Sequence, residues 1–286
     1  MNSPFALGKY TAAALHLRPR PEAPMTSQLL LGEPVRKLER VAEYYHVRRA
    51  EDGLEGFVKA DQLLTTSERL YEIQCHSPCF ALDLFGSMLG GDYGIPVTFG
   101  ARLPDFDGLQ TTVGSSRYLY SGQAVHSADI RPDADLLVRL ARKWCFCPEL
   151  TGGRTPTGID PVGLLQLLMR LVKVHLPHDI ETMTGQGKPI DFVVQCQAGD
   201  LAFFDNENGR VGHLGLVLPS GEILHVRGRV RIDGLDHYGI FDRAHRRYTH
   251  RLRIVRRWLP DRVDQSIELS RSLIDIKTNS RQTALF

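Results

Sequence analysis

Five cysteines are the strongest nucleophiles available to this 286-residue chain, and the place where a reactive thiol would be made holds none of them. A thiolate becomes nucleophilic at the amino end of a helix, where the dipole favours negative charge and a histidine can act as base. The glycine-rich turn Gly152 to Asp160 delivers the backbone to such a helix start, and the residue delivered is Pro161. After it Leu164, Leu165, Leu168, Met169 and Val172 recur at helical spacing, and proline is well tolerated at a first helical position. The layout is that of a cysteine-dependent peptide hydrolase with proline in the nucleophile's place.

Other reactive side chains suggest less. Cys75 and Cys79 followed by Cys145 and Cys147 do not have the spacing of a zinc site and read as buried free thiols. Cys196 precedes a Gly199-Asp200 turn, not a helix start. Strand histidines His213 and His225 fit either a ligand-contacting role or simple hydrogen-bonded positions, and no third His or Cys stands at recognisable ligand spacing with them, so no metal is expected. Gly185-Gln186-Gly187-Lys188 lacks the following Ser or Thr and the leading strand of a phosphate loop. Asp105-Phe106-Asp107-Gly108 lacks the spaced oxygens of a calcium loop and reads as a turn.

The elements that must hold these residues change character along the chain. Short strands at 14–17, 28–31, 35–39, 44–48 and 54–58, separated by turn clusters such as Gly32-Glu33-Pro34, predict a small β-barrel over 1–64. A second, less regular barrel is expected over 65–128. Asp133-Ala134-Asp135 then caps a helix, Asp160 caps the next, and strands at 200–204, 213–218, 223–226, 230–232 and 252–258 form an antiparallel meander. This third region, 129–262, is α+β, and 263–286 reads as a loosely held tail. In the final strand Leu252, Ile254 and Trp258 are expected on one apolar face with arginines outward.

Composition sets outer limits. With 42% hydrophobic and 24% charged residues the chain can build a packed core. A net charge of +2 gives no global field for nucleic acid or an anionic membrane, and the basic stretch Arg243 to Arg257 reads as a solvated strand face. No segment approaches the roughly 20 apolar residues of a membrane helix. Met1 to Leu17 lacks a signal-peptide core, so a cytoplasmic location is expected, with leaderless export left open.

Several motifs in order resemble the NlpC/P60 cell-wall peptidases, whose signature is Tyr-x-Trp-Gly-Gly followed by Gly-x-Asp-Cys-Ser-Gly. The matching stretches are Glu149-Leu150-Thr151-Gly152-Gly153 and Gly158-Ile159-Asp160-Pro161-Val162-Gly163, then Ala198 to Phe204, Gly212-His213-Leu214-Gly215-Leu216 and Ile223-Leu224-His225-Val226. The N-terminal barrels resemble the bacterial SH3 modules that precede this domain in peptidases cutting after L-Ala-γ-D-Glu. The resemblance implies a papain-like domain, with helices packed on an antiparallel sheet, preceded by two small SH3-like barrels.

It also implies roles. The general base matches His213 and its orienting residue His225, while the nucleophile matches Pro161 and an aromatic oxyanion residue matches Glu149, a carboxylate that would repel an oxyanion. Asp160 matches the residue that anchors a substrate's free amine, although a helix cap explains it equally. Glu149 is expected beside it as a second carboxylate facing an ammonium group. Glu55 reads first as an exposed strand-end charge and, by analogy with the barrel's contribution in the family, as a further amine contact. The functional expectation is a catalytically inactive protein, without cofactor, whose cleft takes a peptidoglycan-derived peptide or a protein partner. An active γ-D-glutamyl-L-diamino-acid endopeptidase and a structural interaction module are the alternatives.

Overall fold

The computed structural model describes residues 3–90, 93–206 and 208–261. The sequence-predicted tail at 263–286 lies outside the described residues. The chain begins with β1 (Phe5–Gly8), β2 (Ala12–His16), β3 (Met25–Leu30), β4 (Pro34–Val41), β5 (Tyr44–Arg49), β6 (Glu55–Lys59) and β7 (Leu63–Thr65), paired in the order β3-β2-β6-β5-β4-β1-β7. Alternation sets the inner face: Ala13 and Leu15 of β2 are buried while their neighbours are half-exposed. They meet Leu29, Val35, Val47 and Val58 in one core. The five expected strands coincide with β2 to β6. β1 and β7 are additions, too short and too plain in sequence to announce themselves, and they pair with each other.

The second unit opens with a helix where strand was expected, α1 (Glu68–His76), whose Ser67 cap accepts from the Leu70 amide at 3.2 Å. There follow β8 (Cys79–Ala81), β9 (Phe85–Gly90), β10 (Tyr93–Thr98), β11 (Gln110–Val113), β12 (Ser116–Tyr120) and β13 (Ala124–His126). They form a four-stranded sheet, β10-β9-β12-β11, and a separate β13-β8 pair. Met88, Val97, Tyr118 and Tyr120 fill the space between them.

The third unit contains α2 (Ala134–Arg142), a small hairpin of β14 (Arg154–Thr155) and β15 (Gly158–Ile159), α3 (Pro161–Met169) and α4 (Ile180–Thr184). Then come β16 (Lys188–Ile190), β17 (Leu201–Asp205), β18 (Val211–Leu218), β19 (Glu222–Arg227), β20 (Arg229–Leu235), β21 (Gly239–Asp242) and β22 (Arg247–Arg257). Their order is β16-β22-β17-β18-β19-β20-β21, and because β21 also pairs with β22 the last six strands close on themselves. The expected meander is therefore a barrel, and sheet outweighs helix. Leu201, Phe203, Leu214, Leu216, Leu224 and Val226 face outward onto α2 and α3, while Ala202, Phe204, Val217, Ile223, Ile240 and Val255 fill the barrel.

A bulge corrects the expected face of the last strand. Phe203 pairs with Ile254 but Phe204 with Leu252, so Arg253 is skipped, and Leu252 turns into the barrel while Ile254 joins the outer core. Arg257 is buried, not solvated, because its guanidinium is taken up by Asp200, donating to both carboxylate oxygens at 2.7 and 2.9 Å.

Four consecutive residues join the three units. Leu30 lies in the core around α2 and α3, Leu31 in the core of the second unit, and Gly32 at φ +72° sits where a Cβ would stand 2.2 Å from the Arg102 carbonyl oxygen. Glu33 accepts from Arg154 at 2.6 and 2.9 Å and from Arg170 at 3.1 Å. Around it Arg170 and Arg102 share Glu51, and Arg49 holds Asp52. Burial pushes the Glu33 pKa up, but Arg154 and Arg170 pull it down further, to well below the ordinary 4.5. Burial and its cationic neighbours lower Arg154 in turn, yet an arginine starts so high that it stays charged at neutral pH.

Removing one partner from a buried ion pair strands the others, so Glu33→Gln should cost about 3–5 kcal/mol at pH 7 in urea unfolding. Because the folded pKa lies below the unfolded one, the carboxylate's contribution is complete above about pH 4.5 and declines as pH falls toward the folded value. The stability gap between wild type and Glu33→Gln should accordingly shrink by about 1.4 kcal/mol per pH unit below that point. A gap that stays constant down to pH 3 contradicts the assignment.

Candidate functional site

Everything at the start of α3 is fixed by backbone demands. Gly152 has φ +73°, and a Cβ there would meet the Met25 carbonyl oxygen at 2.8 Å; one on Gly153 would meet Gly158 at 2.3 Å. Asp160 is the cap: Oδ1 accepts from the Val162 amide at 2.9 Å and the Gly163 amide at 3.4 Å, and Oδ2 accepts from the Gly152 amide at 3.1 Å. One carboxylate thus starts the helix and locks the turn leading to it. Pro161 follows at the first helical position, where its missing N–H breaks no helical hydrogen bond. From Val162 to Met169 every residue of α3 is buried, and the helix packs against β18.

Glu149 is close to Asp160 in backbone, since it bridges Ile159 in parallel, but its carboxylate is directed elsewhere. It accepts from the Gly228 amide at 2.5 Å, and its own amide donates to the Gly228 carbonyl at 3.0 Å. The two carboxylates are therefore committed to different amides instead of sharing a free face. Glu55 is held on the barrel surface by Arg48 at 2.6 Å and His46 at 3.1 Å. The acidic residue of that loop that reaches α3 is Asp52, which accepts from Gln166 Nε2 at 3.0 Å.

The histidines converge inside the closed barrel. His213 on β18 and His225 on β19 stand 3.0 Å apart through Nε2 and Nδ1, and His225 Nε2 lies 3.0 Å from Asp233 Oδ2 on β20. An ionised carboxylate only accepts, so His225 Nε2–H donates to Asp233, and the His225 Nδ1 shares the remaining hydrogen bond with His213 Nε2. Asp233 also accepts from Arg231, which reaches on to buried Asp242 at 3.0 Å. Although burial raises the Asp233 pKa, hydrogen bonds from His225 and Arg231 bring it below the usual carboxylate value. His250 on β22 stacks on His213 with ring centroids 4.0 Å apart and planes 16° apart. Burial, with the neighbouring imidazoles, pushes His213 down to about 2, and burial with His225 and Arg227 pushes His250 down to about 4.

Sequence reasoning paired His213 with His225 but missed Asp233 and His250. The absence of a third histidine was a statement about spacing, and the fold corrects it: β22 returns to close the barrel and brings His250 to within 4.8 Å of the other two. Only the closure supplies it.

All five cysteines are free and none begins a helix; Cys75 lies near the end of α1. Burial raises the pKa of every one, with Cys79 and Cys196 pushed up to about 11. For Cys196 the nearby Asp200 adds to the effect. No thiol here is activated.

Residues 15–63 match the bacterial dipeptidyl-peptidase SH3 domain, and residues 150–249 match the NlpC/P60 family. The fold is similar to the crystal structure of an NlpC/P60 family protein from Bacillus cereus, with TM-score 0.76 at 19% identity over 90% of this chain and 100% of that one. It is also similar to an NlpC/P60 endopeptidase from Photobacterium damselae subsp. piscicida, with TM-score 0.65 at 13% identity over 88% of this chain and 70% of that one. No curated protein matches the chain. Among the described residues no helix is long and apolar enough to cross a membrane.

Since Asp160 caps α3 and holds Gly152, Asp160→Ala should lower stability by about 1–2 kcal/mol, and Asp160→Asn, which keeps a capping oxygen, by clearly less. Thermal unfolding of the three proteins checks the order. Equal loss for both variants would show that charge, not capping, is what the position needs.

Proposed function

With residues 15–63 a bacterial SH3-type domain and residues 150–249 an NlpC/P60 domain, we propose that this protein is a non-catalytic member of that group, papain-like in arrangement, which binds a peptidoglycan-derived peptide bearing a free amino terminus. The observation that carries the reading is Pro161 at the first position of α3. Proline removes the thiol and also the backbone N–H, and an amide at a helix start is a natural donor to a tetrahedral oxyanion. Glu149, at the position the family resemblance gives to an aromatic oxyanion residue, supplies no aromatic donor, and its carboxylate is taken by the Gly228 amide. Nucleophile and oxyanion support are missing together, which a single relocated thiol would not repair.

What supports binding is the anionic group kept at the helix start. Asp160 spends one lone pair of Oδ2 on Gly152, which leaves acceptor capacity for an ammonium group. Burial and Arg49 lower the His178 pKa, and Asp52 and Asp160 offset this only in part, so at this point beside α3 the field of Asp52 is already answered by Arg49. An amine at the helix start would meet the Asp160 carboxylate, already oriented by the fold.

The tripeptide L-Ala-γ-D-Glu-diamino acid is the direct probe. Incubation should release no diamino acid, while calorimetry should show binding that Asp160→Asn weakens by about tenfold, the equivalent of 1.4 kcal/mol. Release that disappears in His213→Ala would establish an active peptidase instead, and no heat at millimolar tripeptide would leave an interaction module. Pro161→Cys combined with Glu149→Tyr returns the thiol, the N–H and the aromatic group, and should give slow hydrolysis, whereas either change alone should give none.

A further inference from the structure

We propose that His213, His225 and His250 form a binding site for one divalent transition-metal ion of the zinc class at the inner face of the β17–β22 barrel. Three strands far apart in sequence each contribute an imidazole, and one donor atom from each lies within 4.8 Å of the other two. His213 Nε2 and His225 Nδ1, 3.0 Å apart, are already near the roughly 3.3 Å that separates two nitrogens on a tetrahedral zinc with bonds of about 2.0–2.1 Å. Their rings stand at 88°, with centroids 5.2 Å apart, so both lone pairs can be aimed at a common centre.

The surroundings are those of a metal ligand set. His225 gives its other nitrogen to Asp233, the carboxylate partner that fixes tautomer and ring orientation in histidine metal sites, and Arg231 holds that carboxylate in turn. His250 is the residue a proton relay does not use. Among the described residues its ring shares a hydrogen bond between Nδ1 and Thr249 Oγ1 at 3.0 Å, and it meets His213 by stacking. One buried and one half-buried imidazole with a third ring laid alongside is what an ion would gather: His213 would keep its proton on Nδ1, leaving Nε2 bare, and His250 would tilt out of the stack to present a ring nitrogen. Three nitrogens without a carboxylate in the ligand set suit zinc, copper or nickel and not calcium or magnesium. They leave a fourth position for water or for a carboxylate of a bound peptide.

Tag-free protein stripped with chelator should take up one Zn2+ per chain in competition with a chromophoric chelator, and one Co2+ with the visible absorption of a tetrahedral site. His250→Phe preserves the stack but removes the donor and should weaken Zn2+ by about 100-fold or more; Asp233→Asn should weaken it by about 10- to 100-fold. Circular dichroism verifies that the variants are folded. Equal affinity of wild type and a folded His250→Phe overturns the site. So does wild-type protein that gives no tetrahedral Co2+ spectrum, whatever the variants do.

Discussion

The Glu33 carboxylate holds the architecture together at one point. It sits in the turn between β3 and β4, buried, and accepts from Arg154 just before α3 and from Arg170 just after it. One residue of the first barrel thus grips the hairpin that leads into the helix and the turn that leaves it. A buried ion pair is weak evidence of net stability, because desolvation offsets much of the attraction. Its consequence here is registry: Leu30 and Leu31 could pack against apolar neighbours in several positions, whereas a bidentate pair to a fixed guanidinium admits one. The Arg102 and Arg170 guanidinium groups stand 5.7 and 5.6 Å from the Phe80 ring centre, which carries the same constraint into the second unit.

Pro161 stands at the start of the helix that this clamp holds. Its fixed φ suits the first helical position, and by narrowing the unfolded ensemble such a proline contributes roughly 0.4–1 kcal/mol where the geometry accepts it. With Asp160 capping and eight buried residues following, α3 is built as a structural helix throughout.

Legibility in the sequence followed locality. The caps Asp133 and Asp160 and the period of Leu164, Leu165 and Leu168 are contained within a few residues, so α2 and α3 could be placed from text alone. Gly32-Glu33-Pro34 reads as a surface turn by the same local rules and is buried, because its partners lie 121 and 137 residues away. Gly185 to Lys188 reads as a failed phosphate loop, and the adjoining Lys188 to Ile190 becomes an edge strand only through pairing with β22. α1 was missed because its one buried residue is Gln74, so no apolar stripe marks it. The base pair His213 and His225 came from family resemblance, not from spacing, and Asp52 was passed over for Glu55 because neither differs in local pattern.

The two halves of the candidate site have separate supports. The helix start depends on Glu33, Arg154 and the Asp160 cap. The histidines depend on a chain of alternating partners inside the barrel, from His225 to Asp233, Arg231 and Asp242, which also binds His245 at 3.0 Å. Polar rings inside a barrel are costly unless each finds a partner, and this chain supplies partners for His213 and His225 without any thiol. Helix start and histidine cluster are thus stabilised by separate sets of partners, so a change in one set leaves the hydrogen bonds of the other in place.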